Sequence, residues 1–320
     1  MARILKHKSI ITKNNNIMKR IILSMAIIAG VLFSASAQKT FVDLKCNADQ
    51  TIKWWNNSKA PHSNEITKDE TRDEAGNLRE ISQTVFYLYK ADASIATGQA
   101  VVVLPGGGYG ANCIEREGFK LAEYFKSIGI TALVVKYRLP NYGHKEVPLE
   151  DAQAGLSYLR KNAKKLGIDP TKVGIAGSSA GGHLAAYTSN FTADAEKPAF
   201  SILFYPVITG SSCMTHQNTF RRLLGAKHAP YLREYYSLEN RVSETTPPTI
   251  LLLSTDDRTV PPISSILYYK ALKHYGVKAS MHIYPEGGHG WVCNESFRYH
   301  KDWQHQLAKW LKFINTPEKK

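Results

Sequence analysis

Residues 172–182 read Lys-Val-Gly-Ile-Ala-Gly-Ser-Ser-Ala-Gly-Gly, an apolar run that meets a serine framed by glycines. The chain then passes into the small-residue stretch Gly182-His183-Leu184-Ala185-Ala186. That order predicts a strand, a tight turn and a helix, with Ser179 at the apex. A turn this sharp strains the serine backbone, and a Cβ at Gly177 or Gly181 would collide with the neighbouring strand or helix. A hydroxyl raised on such a turn is placed to act as a nucleophile. A plain strand-to-helix loop also puts serine between glycines, so the rest of the chain has to decide.

A nucleophilic serine needs a base, an acid to orient it, and donors for the charge that develops on the substrate oxygen. Each has a candidate, in the order loop, serine, acid, histidine. Upstream, the buried-strand pattern Val101-Val102-Val103-Leu104 runs into Pro105-Gly106-Gly107-Gly108-Tyr109-Gly110, where the glycine triplet frees backbone N–H groups to face a substrate. Downstream, the apolar run 249–254 precedes Thr255-Asp256-Asp257-Arg258-Thr259-Val260-Pro261. Two aspartates compete for the acid. The Asp-x-x-Val-Pro spacing favours Asp257 facing inward, with Asp256 capping the turn through its own backbone. After a predicted helix (263–275) and an alternating strand (279–284), the loop Pro285-Glu286-Gly287-Gly288-His289-Gly290-Trp291 offers His289 as the base. His183, one helical turn beyond Ser179, reads as a packing or hydrogen-bonding residue. Tyr109 and Trp291 follow the two glycine-rich loops, so their rings are expected to line a short acyl or sugar pocket.

Strands at 84–90 (an edge), 99–104, 131–137, 172–176, 200–207, 249–254 and 279–284 alternate with helices at 117–128, 149–166, from 182 through Ala186, 263–275 and 297–314. Such alternation predicts an α/β fold, a mostly parallel central sheet with helices on both faces. The segment 209–248 lacks a strand and carries two short helices, 219–224 and 231–236, read as a small lid over the site. Trp54 and Trp55, adjacent, divide more readily between core and surface than they form a sugar-stacking platform.

At the N-terminus, Met18-Lys19-Arg20 precedes the apolar run 21–33 and then Ser34-Ala35-Ser36-Ala37, a basic segment, an apolar core and an Ala-x-Ala cleavage site. Residues 1–37 therefore read as an export signal that starts at Met18 behind an upstream extension, followed by a single catalytic domain, 38–320. The apolar run falls short of the ~20 residues that span a bilayer, which argues against stable membrane insertion. Cleavage would lower the formal charge from +14 to +8, since the segment holds six basic residues and no acid. The remaining basic residues are scattered, with no aromatic-interleaved patch for nucleic acid. The four cysteines, Cys46, Cys113, Cys213 and Cys293, allow three pairings or free thiols. They make no close zinc-ligand spacing with histidine, so neither metal nor organic cofactor is expected.

With Pro-Gly-Gly-Gly-Tyr, Tyr137-Arg138, Gly-x-Ser-Ala-Gly-Gly-His, Asp-Asp-x-x-Val-Pro-Pro and Gly-Gly-His-Gly in this order, the chain from about residue 43 to the last helix resembles the bacterial carbohydrate-esterase branch of the α/β-hydrolases, the acetyl-xylan and feruloyl esterases. The resemblance implies Ser179 as nucleophile, His289 as base, Asp257 as its orienter, and Gly107, Gly108 and Ala180 as oxyanion donors. One departure is Leu104, where relatives often carry His before the Pro-Gly-Gly-Gly run. Taken with the N-terminal signal and the glycine loop, the resemblance leads to the expectation of an exported, cofactor-free esterase that takes short acyl groups, acetyl above all, from an oligosaccharide or other small ester substrate. Two other readings are a peptidase or general carboxylesterase of the same fold, and a non-catalytic carbohydrate-binding protein. The first lacks a large access-restricting domain and the second usually shows a lost triad member, absent here. Oligomeric state is not legible in the sequence.

Overall fold

The computed structural model describes residues 39–316, and the expected export signal lies outside them. The chain from Phe41 onward is one compact unit. Its frame is an eight-stranded sheet in the order β1 (Gln50–Asn56), β4 (Gln83–Tyr89), β6 (Thr131–Lys136), β5 (Ala100–Leu104), β7 (Val173–Ser178), β8 (Ser201–Phe204), β9 (Thr249–Ser254) and β10 (Ala279–Tyr284). A two-residue ladder, β2 (Thr71–Arg72) with β3 (Leu78–Arg79), stands apart. At one end β1 with β4 and β4 with β6 are antiparallel; from β6 to β10 every pairing is parallel. The central strands are buried along their whole length and mostly apolar, because helices cover both faces and leave no residue facing water.

The sequence pattern puts the strand over 84–90 at the edge; in the structure β1 lies outside it, antiparallel with a register shift between Lys53 and Trp55. The sequence of β1, Gln-Thr-Ile-Lys-Trp-Trp-Asn, shows no clean alternation, because the register shift between Lys53 and Trp55 interrupts the period-2 pattern. Trp54 stacks on Phe86 with centroids 5.1 Å apart, while Trp55 Nε1 donates to Asp151 at 2.6 Å. The pair splits between surface and interior.

Helix α1 (Lys120–Ser127) buries Leu121, Ala122 and Phe125, and is preceded by a π-helical turn, Ile114–Phe119, where the sequence pattern places helix only from 117. α2 (Glu146–Lys161), the short α3 (Ala163–Leu166), α4 (Ala180–Phe191), α7 (Ile263–His274) and α8 (His300–Asn315) complete the layers. Between β8 and β9 lie α5 (Gln217–Leu224) and α6 (Pro230–Tyr235). Large rings such as Phe204, Trp291 and Trp303 are fully buried between sheet and helices, each contributing about 1.5–3 kcal/mol of apolar burial.

Among the described residues, two ion pairs have both side chains essentially solvent-free. Lys136, the last residue of β6, meets Glu70 at 2.8 Å, and Arg138 meets Asp151 at 2.8 Å. Burial depresses the Lys136 pKa despite the attraction of Glu70. The Tyr137-Arg138 pair of the sequence thus serves the interior: Tyr137 donates to the Pro105 carbonyl at 2.7 Å, at the root of the glycine loop.

Candidate active site

Parallel strands share a carboxyl edge, and the loops leaving that edge converge. Leu104 of β5 pairs with Gly177 of β7, which sets the glycine loop beside the Ser179 turn. Ser254 of β9 pairs with Tyr284 of β10, which sets the Asp256-Asp257 turn beside the His289 loop.

Ser179 adopts φ 54° and ψ −119°, a conformation that costs a non-glycine residue on the order of 1–3 kcal/mol. Backbone bonds hold it there: its N–H donates to Phe204 O at 3.0 Å, and its carbonyl accepts from His183 N at 3.0 Å and Val207 N at 3.1 Å. The flanking glycines are obligatory. A Cβ on Gly177 would lie 2.1 Å from the Gly181 carbonyl oxygen, and one on Gly181 would lie 2.0 Å from that of Leu104.

Ser179 Oγ lies 2.8 Å from His289 Nε2, and His289 Nδ1 lies 2.7 Å from Asp257 Oδ2. The other Asp257 oxygen accepts the N–H groups of Thr259 at 2.9 Å and Val260 at 2.8 Å, so the carboxylate is pinned with one oxygen free for the imidazole. Asp256 does more than the expected turn cap. Its carboxylate meets its own backbone N–H, as a turn cap does, and also accepts from Gly288 N at 2.8 Å and Gly287 N at 3.3 Å, which ties the histidine loop to the acid turn. Those amides, the Gly288 N–H foremost, hold its pKa below the usual range.

Ala180 begins α4, where the N–H has no carbonyl four residues back and the helix dipole favours negative charge. Among the described residues, the N–H groups of Gly107 and Gly108 meet no acceptor either. A serine oxygen hydrogen-bonded to an imidazole, an imidazole oriented by a buried carboxylate, and backbone donors beside them can perform acyl transfer: proton removal, attack on a carbonyl, and support of the oxyanion. Among the described residues, no cluster of histidine, cysteine and carboxylate side chains could hold a metal ion, and all four cysteines are free thiols. Burial pushes the Cys113 thiol up to about 12.

The two aromatic side chains expected to face a substrate do not. Tyr109 is 1% exposed, with φ 57°, and its hydroxyl lies 3.0 Å from His183 Nδ1. Trp291 is 2% exposed and stacks on Phe297 with centroids 4.4 Å apart. In each case the loop turns the backbone back toward the sheet, and the large ring follows it into the core. The segment 209–248 instead brings His216 and Arg222 to the glycine loop. Arg222 Nη1 donates to Gly108 O at 3.1 Å, and a Cβ on Gly108 would lie 3.2 Å from His216 Cε1. Burial, then the nearby His289 and Arg222, lower the His216 pKa. Neither residue carries a sequence signal: Arg222 falls inside the short helix expected over 219–224, where it reads as a solvated surface residue, and His216 lies just before it in a stretch without a strand. Glu117 carries none either; Gly106 N donates to its Oε2 at 2.7 Å.

The sheet order and the serine turn at its carboxyl edge define a class, and the profile described as the alpha/beta hydrolase fold matches residues 101–293. The chain belongs to the α/β-hydrolase family. It is similar to an acetylxylan esterase of Xylanibacter ruminicola, 38% identical over 226 residues, 69% of this chain and 47% of that protein. It is also similar to endo-1,4-beta-xylanase B of Butyrivibrio fibrisolvens, 34% identical over 227 residues, 66% of this chain and 35% of that protein. The chain thus spans less than half the length of these curated relatives. Among solved structures it is similar to an acetyl ester-xyloside bifunctional hydrolase from Caldicellulosiruptor lactoaceticus, with TM-score 0.71 and 32% identity, covering 85% of this chain and 98% of that one.

Proposed function

We propose that this protein is a serine carboxylic-ester hydrolase that removes short acyl groups, acetyl foremost, from xylan-type carbohydrates. The observation that carries the reading is the continuous chain Ser179 Oγ, His289 Nε2, His289 Nδ1, Asp257 Oδ2, with both links under 3 Å. His289 takes the Ser179 proton as Oγ attacks the ester carbonyl, and the N–H groups of Gly107, Gly108 and Ala180 bind the oxyanion. The imidazolium, stabilised by Asp257, returns the proton to the departing sugar hydroxyl. Water activated by His289 then attacks the acyl-serine and releases the carboxylic acid.

The names of the relatives supply the substrate class, since the acetylxylan esterase and the acetyl ester-xyloside hydrolase both act on acetyl esters by name. Export through residues 18–37 belongs to the same reading. Among the described residues, no helix is long and apolar enough to cross a membrane.

Purified protein assayed on aryl acetates and on acetylated xylo-oligosaccharides tests the activity. Acetate release is expected from both, and Ser179→Ala is expected to lower kcat on the order of 10³-fold or more with the fold intact. A variant retaining more than about a tenth of the rate, far above what loss of a nucleophile permits, would remove Ser179 from its role. Acetate release from aryl acetates alone, with none from xylo-oligosaccharides, would reduce the reading to a general carboxylesterase.

A further inference from the structure

Among the described residues four carboxylates are buried. Glu70 meets Lys136, Asp151 meets Arg138 and Asp257 meets His289. Glu117, 7% exposed, is the exception: every partner it has is a neutral donor. A carboxylate without a cation is an expensive way to fill space, so its three hydrogen bonds indicate what it is for.

Oε2 accepts Gly106 N at 2.7 Å and Ser178 Oγ at 2.8 Å, and Oε1 accepts the Tyr205 hydroxyl at 3.3 Å. The Gly106 carbonyl, in turn, accepts Cys113 N at 2.9 Å, so both backbone polar groups of Gly106 are held by the segment that carries Glu117. That segment is Cys113 and the π-helical turn Ile114–Phe119 it precedes, a rare form that recurs at functional sites. Ser178 immediately precedes Ser179. Tyr205, with φ 35°, sets its ring 4.7 Å from the His289 ring. One carboxylate therefore joins the glycine loop, the serine turn and the support of the base.

We infer that Glu117 is a positioning residue for the Ser179 chemistry: it draws the Gly106 N–H inward, and so leaves the next two amides, of Gly107 and Gly108, facing the place where the oxyanion forms. The inference rests on the esterase reading above for its kinetic consequence, but its geometric claim concerns the loop alone. Oxyanion donors act by being fixed in advance, so a loop free to rotate its peptides loses transition-state stabilisation while ground-state binding is kept.

Glu117→Gln in the full chain tests this, because the amide keeps the shape and exchanges one acceptor for a donor. The expected kcat on an aryl acetate falls on the order of 10- to 100-fold, the scale of a donor displaced by about 1 Å, while KM stays within about threefold because ground-state binding is untouched. In the free protein, the Gly106 amide proton resonance moves upfield as its charged acceptor is lost. Unchanged kcat together with an unmoved Gly106 resonance would overturn the inference, as would a change confined to KM. Should the Gln variant fail to fold, Ser178→Ala and Tyr205→Phe each remove one donor to Glu117. A lower kcat at constant KM in either supports the role, and wild-type kinetics in both overturn it. A wild-type protein inert on every ester defeats the esterase reading, and the Gly106 resonance then decides the positioning claim alone.

Discussion

The carboxylate of Asp256 accepts the N–H of Gly288 at 2.8 Å, which fastens the loop bearing His289 to the turn bearing Asp257. Adjacent aspartates thus take complementary roles, the first fixing the loop and the second orienting the ring. Asp257→Asn keeps the shape but loses the charge that stabilises the imidazolium, and it is expected to lower kcat on the order of 10⁴-fold. Asp256→Asn still presents an oxygen to Gly288 N and is expected to stay within about tenfold of the parent, the cost of a weakened neutral bond. Steady-state kinetics on an aryl acetate rank the two, and the reverse ranking would reassign the acid.

The residues proposed as nucleophile, base and acid could be picked out of the sequence because each sits where backbone geometry demands particular residues: glycine where a Cβ would meet a carbonyl, and loops at the ends of apolar strands. What was not legible depends on direction. Tyr109 and Trp291 follow glycine loops, but which way a ring points after such a loop is set by the left-handed φ at Tyr109 and by the hole in the core that Trp291 fills. Glu117, within Ile-Glu-Arg-Glu-Gly-Phe, reads as one more polar residue of an amphipathic helix. Two of its three partners, Ser178 and Tyr205, lie 61 and 88 residues away and reach it only once the sheet assembles.

The serine turn makes a prediction about folding rather than rate. Gly181→Ala would place a Cβ 2.0 Å from Leu104 O and 2.5 Å from Pro105 O, both backbone atoms at the end of a central strand. Neither can move without breaking the sheet. The expected loss is about 3 kcal/mol or more, the upper end of overpacking costs, read as a lowered midpoint in urea. A variant as stable as the parent would mean that the strand end is free to shift.

Lys136 shows the same dependence on context, since its position at the end of an apolar strand does not announce that its ammonium is buried against Glu70. Lys136→Met leaves that carboxylate unpaired, apart from the Val42 N–H at 3.3 Å. A destabilisation of about 3–5 kcal/mol is expected. Adding Glu70→Leu is expected to recover most of it, because removing both charges removes the desolvation cost. Denaturant unfolding of the single and double variants checks the pair, and a double variant no more stable than the single would show that Glu70 is held by something other than Lys136.

His183 supplies a pH dependence whose sign follows from its surroundings. The ring is solvent-free; Nδ1 lies 3.0 Å from the Tyr109 hydroxyl and Nε2 lies 3.4 Å from Tyr236 O, a pattern met by the neutral tautomer protonated at Nε2. Burial lowers its pKa from 6.5 to about 4. The unfolded chain therefore binds a proton on this group between about pH 6.5 and pH 4 that the folded chain does not, so stability is full above the unfolded value and falls with pH across that window. Burial shifts His216, His282 and His300 the same way. For His183 the loss amounts to about 3 kcal/mol by pH 4. Urea unfolding at intervals across that range is expected to show the decline, and His183→Asn is expected to flatten it. Equal slopes in parent and variant would mean that His183 titrates in the folded protein much as it does in the unfolded chain.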